Sequence, residues 1–290
     1  MSLDRVSDLL SLMLKELAAS MKKITTDGML ELRAAVADSV KKCSALIVNT
    51  VDFLEQEALT KVQELFSASA FTIGPFHKLV PTISSSLLKE DTNCISWLNK
   101  QAPKSVIYVS FGSIASIDEK ELLETAWGLA NCEQPFLWVV RPGLVRGSNC
   151  LELLPINFQD SVGERGCIVE WAPQKEVLAN DAVGGFWSHC GWNSTLESIC
   201  EGVPMLCKPF FGDQNLNMRY VCDVWNVGLE LEEFEGGTIK NAIKRLMVDT
   251  EGKEMRKKAI HLKEKVELPL KEGGSCYNSL NDLVKKILSF

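Results

Sequence analysis

The sequence predicts an α/β fold built on a parallel sheet, on three observations. From residue 105 onward, short apolar runs alternate with stretches of helical periodicity, and strands separated by helices imply right-handed crossovers within one sheet. The runs are almost wholly apolar, as strands covered on both faces require. Hydrophobic residues make up 46% and charged residues 24% of the 290, enough apolar material for a sizeable core.

Taken in order, the first 75 residues read as helix, helix, strand, helix, strand. Leu9, Leu10, Met13, Leu14 and Leu17 recur at helical spacing, and a second helical stretch after Gly28 carries Leu30, Leu32, Ala35, Val36 and Val40. The run Ala45–Val48 is a short buried strand ended by Asn49-Thr50, residues 54–65 are helical, and 71–73 form a strand before Gly74-Pro75. Periodicity then fades through Pro81 and the serines 84–86, a linker signal over 77–92. Beyond it come a strand at 105–111, a helix at 118–129 with Asp118 as N-cap, and strands at 136–140, 167–170, 184–187 and 204–207. Helices fit at 174–178, 193–201, 215–224 and 238–248, and two more close the chain at 253–266 and 276–288, separated by Pro269 and Gly273-Gly274. One complete α/β domain is therefore expected over about 93–270. The piece before it, 1–76, has two strands at most, fewer than a sheet needs to stand alone.

Composition excludes several classes of function. Lys and Arg number 31 against 38 Asp and Glu, a net charge of −7, so no electrostatic footprint for nucleic acid exists. No window approaches the roughly 18 apolar residues of a membrane span, and the charged N-terminus lacks the apolar core of a signal peptide. Ten cysteines are scattered without a CxxC, which fits reduced thiols in a cytoplasmic protein better than a disulfide framework. Three unclustered histidines (His77, His189, His261) make a zinc site improbable. No GxGxxG opens a helix, which speaks against a dinucleotide dehydrogenase.

In an open parallel sheet, ligands bind where strands end and loops lead into helices. Three such turns are chemically unusual. The first is Phe111-Gly112-Ser113, where glycine lets backbone approach a ligand and serine offers a hydroxyl. The second is Glu170-Trp171-Ala172-Pro173-Gln174, with a Trp at a strand end. In the third, running from Ser188 through His189, Cys190, Gly191 and Trp192 to Asn193-Ser194-Thr195, a strand passes into a helix N-terminus, whose N–H groups and dipole suit a phosphate. Gly191 allows close approach, His189 adds a donor, and Glu197 lies one turn deeper, where a carboxylate can accept from ribose hydroxyls. Taken singly, Trp171 and His189 read as core residues and Glu197 as a surface acid. Their joint spacing is what carries the argument. Trp138, Trp187 and Trp225 are read as core from their apolar strand or helix settings. Asn193-Ser194-Thr195 also matches a glycosylation sequon, discounted in a cytoplasmic chain.

Jointly, Trp171-Ala172-Pro173-Gln174, His189 to Glu197, Glu201-Gly202-Val203-Pro204 and Asp213-Gln214 are similar to the signature box of plant family 1 UDP-glycosyltransferases acting on secondary metabolites. The resemblance extends over essentially the whole chain, through Asn49-Thr50, Ile73-Gly74-Pro75, residues 94–98 and 109–113. It implies a GT-B fold, with 93–270 as the complete C-terminal Rossmann-like domain and 1–76 as a remnant of the N-terminal one. The helix over 271–290 would then pack back on that remnant. It also implies roles. Trp171 stacks on uracil and Ala172 meets the base through its backbone. Gln174 and Glu197 hold the ribose; Ser113, His189, Asn193 and Ser194, with Gly191, bind the diphosphate; Trp192, Asp213 and Gln214 contact the sugar. Gln214 resembles the glucose-using members, whose amide can bridge two hydroxyls. The implied reaction is inverting and metal-independent, with UDP-glucose as co-substrate rather than cofactor, a small phenol, terpenoid or cytokinin as acceptor, and a monomeric enzyme. The family's catalytic base, a His near the N-terminus oriented by an Asp, has no counterpart here, since no His precedes His77. The chain is thus expected to be an N-terminally truncated donor half, inactive alone, or alternatively a non-catalytic UDP-sugar-binding fragment.

Overall fold

The computed structural model describes residues 43–65, 69–79, 88–147 and 150–289. The helices expected at 9–17 and 30–40, and most of the linker, lie outside them. The chain divides into two compact units, Met1–Ile83 with Glu264–Phe290, and Ser84–Lys263.

In the first unit, β1 (Ala45–Val48) and β2 (Ser69–Thr72) pair in parallel, Ile47 opposite Phe71. The crossover between them is a 3-10 turn and α1 (Gln56–Leu65), and the short α2 (Phe76–Leu79) follows.

The second unit begins with α3 (Asn93–Leu98) and β3 (Val106–Ser110), whose five residues are all buried. Then come α4 (Glu119–Asn131), β4 (Phe136–Val139), α5 (Phe158–Val162) and β5 (Gly166–Val169). After these the chain forms α6 (Gln174–Ala179), β6 (Val183–Ser188), α7 (Trp192–Glu201), β7 (Met205–Cys207) and α8 (Gln214–Arg219). It ends with β8 (Gly228–Glu230), α9 (Gly236–Met247) and α10 (Thr250–Leu270), and α11 (Ser275–Leu288) packs on β2 within the first unit. Asp118 caps α4 as expected, in a capping box with Glu121; such a cap stabilises a helix by about 1 kcal/mol.

All six strands of the second unit run parallel, in the order β5-β4-β3-β6-β7-β8. The chain winds outward from β3 through β4 to β5, returns to lay β6 on the other side of β3, and winds outward again. The loops leaving β3 and β6 therefore turn to opposite faces, and the crevice between them is where such sheets bind ligands. Beneath it Trp138, Trp187, Phe111 and Phe136 are fully buried, with Phe111 edge-on to Trp187 at 5.4 Å between ring centroids.

Three expectations need correction. The helix expected to stop at 266 continues to Leu270 with Pro269 inside it. Proline there removes one backbone bond, to the carbonyl four residues back, and the helix ends at the next residue. The single helix expected at 215–224 is α8 followed by a π turn over Tyr220–Val224, closed by Trp225 N–H to Tyr220 O at 2.8 Å. Trp225, expected in the core, is half-buried and packs against Tyr220 and Trp192, with centroids 5.4 and 6.4 Å away. The strand β8 was not foreseen, because three residues are too few to display a period.

Candidate functional site

The expected site residues stand on the loops after β3, β5, β6 and β7, at the carboxyl edge of the sheet. After β3, Gly112 adopts φ +70°, and after β6, Cys190 adopts φ +63°, a left-handed conformation that non-glycine residues seldom take. What holds Cys190 there is visible. Its N–H donates to Ser188 Oγ at 3.0 Å and its carbonyl accepts from Asn217 Nδ2 at 2.9 Å. The same Asn217 amide donates to Asp213 Oδ2 at 2.9 Å, so the loops after β6 and β7 are tied through one buried asparagine.

His189 lies between two glycines. A Cβ on Gly112 would sit 2.6 Å from its Cε1 and Nε2, and one on Gly191 would sit 2.4 Å from Nε2. A second demand on these glycines, beside the approach of a ligand, is therefore the imidazole itself, which occupies the space that their missing side chains leave. Burial pushes the His189 pKa down to about 4, against an opposing pull from Asp213 and with a further push from Arg141. At neutral pH the ring is therefore uncharged, and it offers one N–H rather than a cation. It stands at the start of α7, whose N-cap Gly191 has no side-chain cap and whose first turn contains no acid, so the positive end of the helix dipole is not offset locally.

Gln174, the first residue of α6, joins two of the expected groups. Its Nε2 donates to Ser194 Oγ at 2.9 Å and to Glu197 Oε2 at 2.7 Å, while its Oε1 accepts from the Tyr108 hydroxyl at 3.2 Å. Tyr108 is buried in β3 and stacked on Phe186 at 5.0 Å, so it fixes which way the amide points. Burial raises the Glu197 pKa, and the bond from Gln174 opposes that rise. Replacing Tyr108 with Phe leaves the Gln174 carbonyl without this donor, at a cost of about 1 kcal/mol. The expected result is a matching drop in the urea midpoint with an unchanged slope; an unaltered midpoint means the Tyr108 bond contributes nothing.

The remaining residues divide by exposure. Ser113, Asn193 and Asp213 are exposed, Trp171 and Trp192 half-buried, and Ala172 buried. Trp171 lies in the loop after β5, where its carbonyl accepts from Asp91 N–H at 2.9 Å. Gln214 is 4% exposed, and its Oε1 accepts from the N–H groups of Phe210 at 2.8 Å and Phe211 at 3.1 Å. Its carbonyl edge thus closes the turn after β7. The NH₂ edge, with its two hydrogens, is the edge left for hydroxyls. Sequence reasoning missed three residues that organise the site, Tyr108, Asn217 and Arg141. The one signal each offered was a polar side chain beside or within an apolar run. No helix among the described residues is long and apolar enough to cross a membrane.

The family of UDP-glucoronosyl and UDP-glucosyl transferases matches residues 45–272. The chain belongs to this family. Among its relatives, UDP-glycosyltransferase 76H1 of Stevia rebaudiana is 54% identical over 260 residues, 90% of this chain and 61% of that protein. The chain thus spans about three-fifths of that relative's length. The crystal structure of TcCGT1 in complex with UDP superposes with a TM-score of 0.82 at 30% identity, over 91% of this chain and 60% of that one. Phytolacca americana UGT2, solved with UDP-2fluoro-glucose and pterostilbene, gives 0.75 at 34% identity, over 85% and 55%. The family's GT-B fold is the fold class of this chain, with the six-stranded unit as its Rossmann-like domain.

Proposed function

We propose that the crevice between β3 and β6 binds a UDP-sugar, with UDP-glucose as the donor, for inverting, metal-independent transfer to a hydroxyl of a small plant metabolite. The observation that carries this is the Gln174 amide, which joins Ser194 at the start of α7 to Glu197 one turn deeper. A ribose held by Gln174 and Glu197 sets a diphosphate toward Ser113, His189, Gly191, Asn193 and Ser194, and Trp171 with Ala172 receives the uracil. The leaving diphosphate is stabilised by the α7 dipole and a neutral imidazole. Trp192, Asp213 and the NH₂ edge of Gln214 face the hexose. No cofactor or metal is part of this scheme, and a monomer suffices for it. The domain division proposed with it runs 1–76, 77–92, 93–270 and 271–290, and a cytoplasmic setting suits the reduced cysteines.

The 290-residue chain by itself binds donor without transferring it. Of its three histidines, His189 is packed between glycines with its pKa held down, and His77 and His261 lie on α2 and α10 rather than on the strand-end turns. General-base catalysis is typically worth about 10² to 10⁴-fold. The test is to incubate the purified chain with UDP-glucose and a panel of phenols and alcohols, scoring glucoside by chromatography. UDP-glucose binding without glucoside is expected. Glucoside formed above the rate of donor hydrolysis overturns the inactivity, and no binding of UDP or UDP-glucose overturns the donor site.

A further inference from the structure

Arg141 follows β4 at the carboxyl edge of the sheet and is 8% exposed. Its Nε donates to Gly112 O at 2.8 Å, Nη1 to Pro142 O at 3.2 Å, and Nη2 to Ala115 O. Every one of these acceptors is a neutral carbonyl. Among the described residues no carboxylate lies within ion-pair distance of the guanidinium. The ionisable neighbour it does have is the buried Cys150 thiol, and burial disfavours its charge. An arginine does not escape that cost by losing its proton, since guanidinium stays charged in proteins. A buried cation without a counter-ion is expensive to keep, so its place in the fold needs a reason.

The reason lies on the other side of Gly112. Its carbonyl accepts from Arg141 and its side-chain space is taken by His189, so the guanidinium stands behind the turn that the diphosphate would face. It clamps Gly112 and Ala115, the residues on either side of Ser113 and Ile114, and its field reaches His189. We infer that Arg141 is a positioning residue of the donor site: it fixes the Gly112–Ala115 turn, and the counter-ion it lacks among the described residues is the donor's diphosphate. This inference rests on the donor-site reading above.

A merely structural role and an electrostatic one separate along a series of ligand charge. Uridine, UMP and UDP are titrated calorimetrically into the full chain as wild type, Arg141→Gln and Cys150→Asp. Cys150 is buried and close enough to act on the charge of the Arg141 guanidinium, so an aspartate there supplies a carboxylate near the guanidinium without removing it. Arg141→Gln is expected to weaken UDP by about tenfold or more and UMP by less, and to leave uridine within about twofold, since a charge acts on charge. Cys150→Asp is expected to follow the same gradient more weakly, and it decides the matter alone where Arg141→Gln does not fold. Arg141→Lys, which keeps the charge and gives up the fork, retains the preference for UDP over uridine. Equal weakening of uridine and UDP overturns the inference, as does an unchanged UDP affinity in the variants. Wild-type chain that binds no UDP sinks the donor-site reading instead.

Discussion

Replacing Trp171 with Ala weakens UDP binding by about 10 to 100-fold, the range expected when an aromatic platform under a base is removed. The loop after β5 places this Trp at the rim of the sheet rather than in the aromatic core beneath, where Trp138 and Trp187 are fully buried. Its backbone is held independently of its ring, by the bond from Asp91, so truncation leaves the loop in place. Calorimetric titration of UDP and of inorganic diphosphate separates the causes. UDP is expected to lose affinity while diphosphate, which has no base, does not. If both ligands keep their wild-type affinity, Trp171 is not the platform.

The second large effect is on stability as a function of pH. An unfolded histidine titrates near its ordinary value, whereas burial holds His189 at about 4. Between pH 6.5 and 4 the unfolded chain therefore binds more protons at this residue than the folded one, so stability rises with pH in that window. The contribution is complete above pH 6.5 and is lost progressively as pH falls toward 4. At about 1.4 kcal/mol per pH unit it amounts to about 3 kcal/mol. Glu197 and Glu55, whose pKa values burial raises, carry the opposite sign, because their folded forms hold the proton more tightly. The slope must accordingly be read as a difference. Urea midpoints of wild type and His189→Gln, followed from pH 7 to pH 4, should converge as the pH falls. Parallel curves would falsify the buried, neutral state of His189.

How much was legible in the sequence differs between the scaffold and the site. Strands such as 105–111 and 184–187 were readable because a run buried on both faces is apolar throughout, and Asp118 marked its helix because capping is a local act. The residues gathered at the crevice were readable as a set, since Trp171, Gln174, His189, Ser194 and Glu197 all stand at strand-to-helix turns. Their partners were not. The Tyr108 hydroxyl and Gln174 are 66 residues apart, Arg141 and Gly112 are 29 apart, and Asn217 and Cys190 are 27 apart. The two glycines were read toward a ligand because the space that a missing Cβ leaves has no owner in a sequence.

By itself, then, the sequence determined that the chain is α/β, that several of its strand ends carry chemically unusual turns into helices, and which residues stand at them. These are local properties of periodicity, capping and turn chemistry. The tertiary structure alone decided that β6 lies beside β3, and hence that His189 packs on Gly112, that Tyr108 orients Gln174, and that Arg141 stands behind the Gly112 turn. Hydrogen bonds and fields act through space between neighbouring strands, and strand adjacency is settled only when the sheet closes around its core.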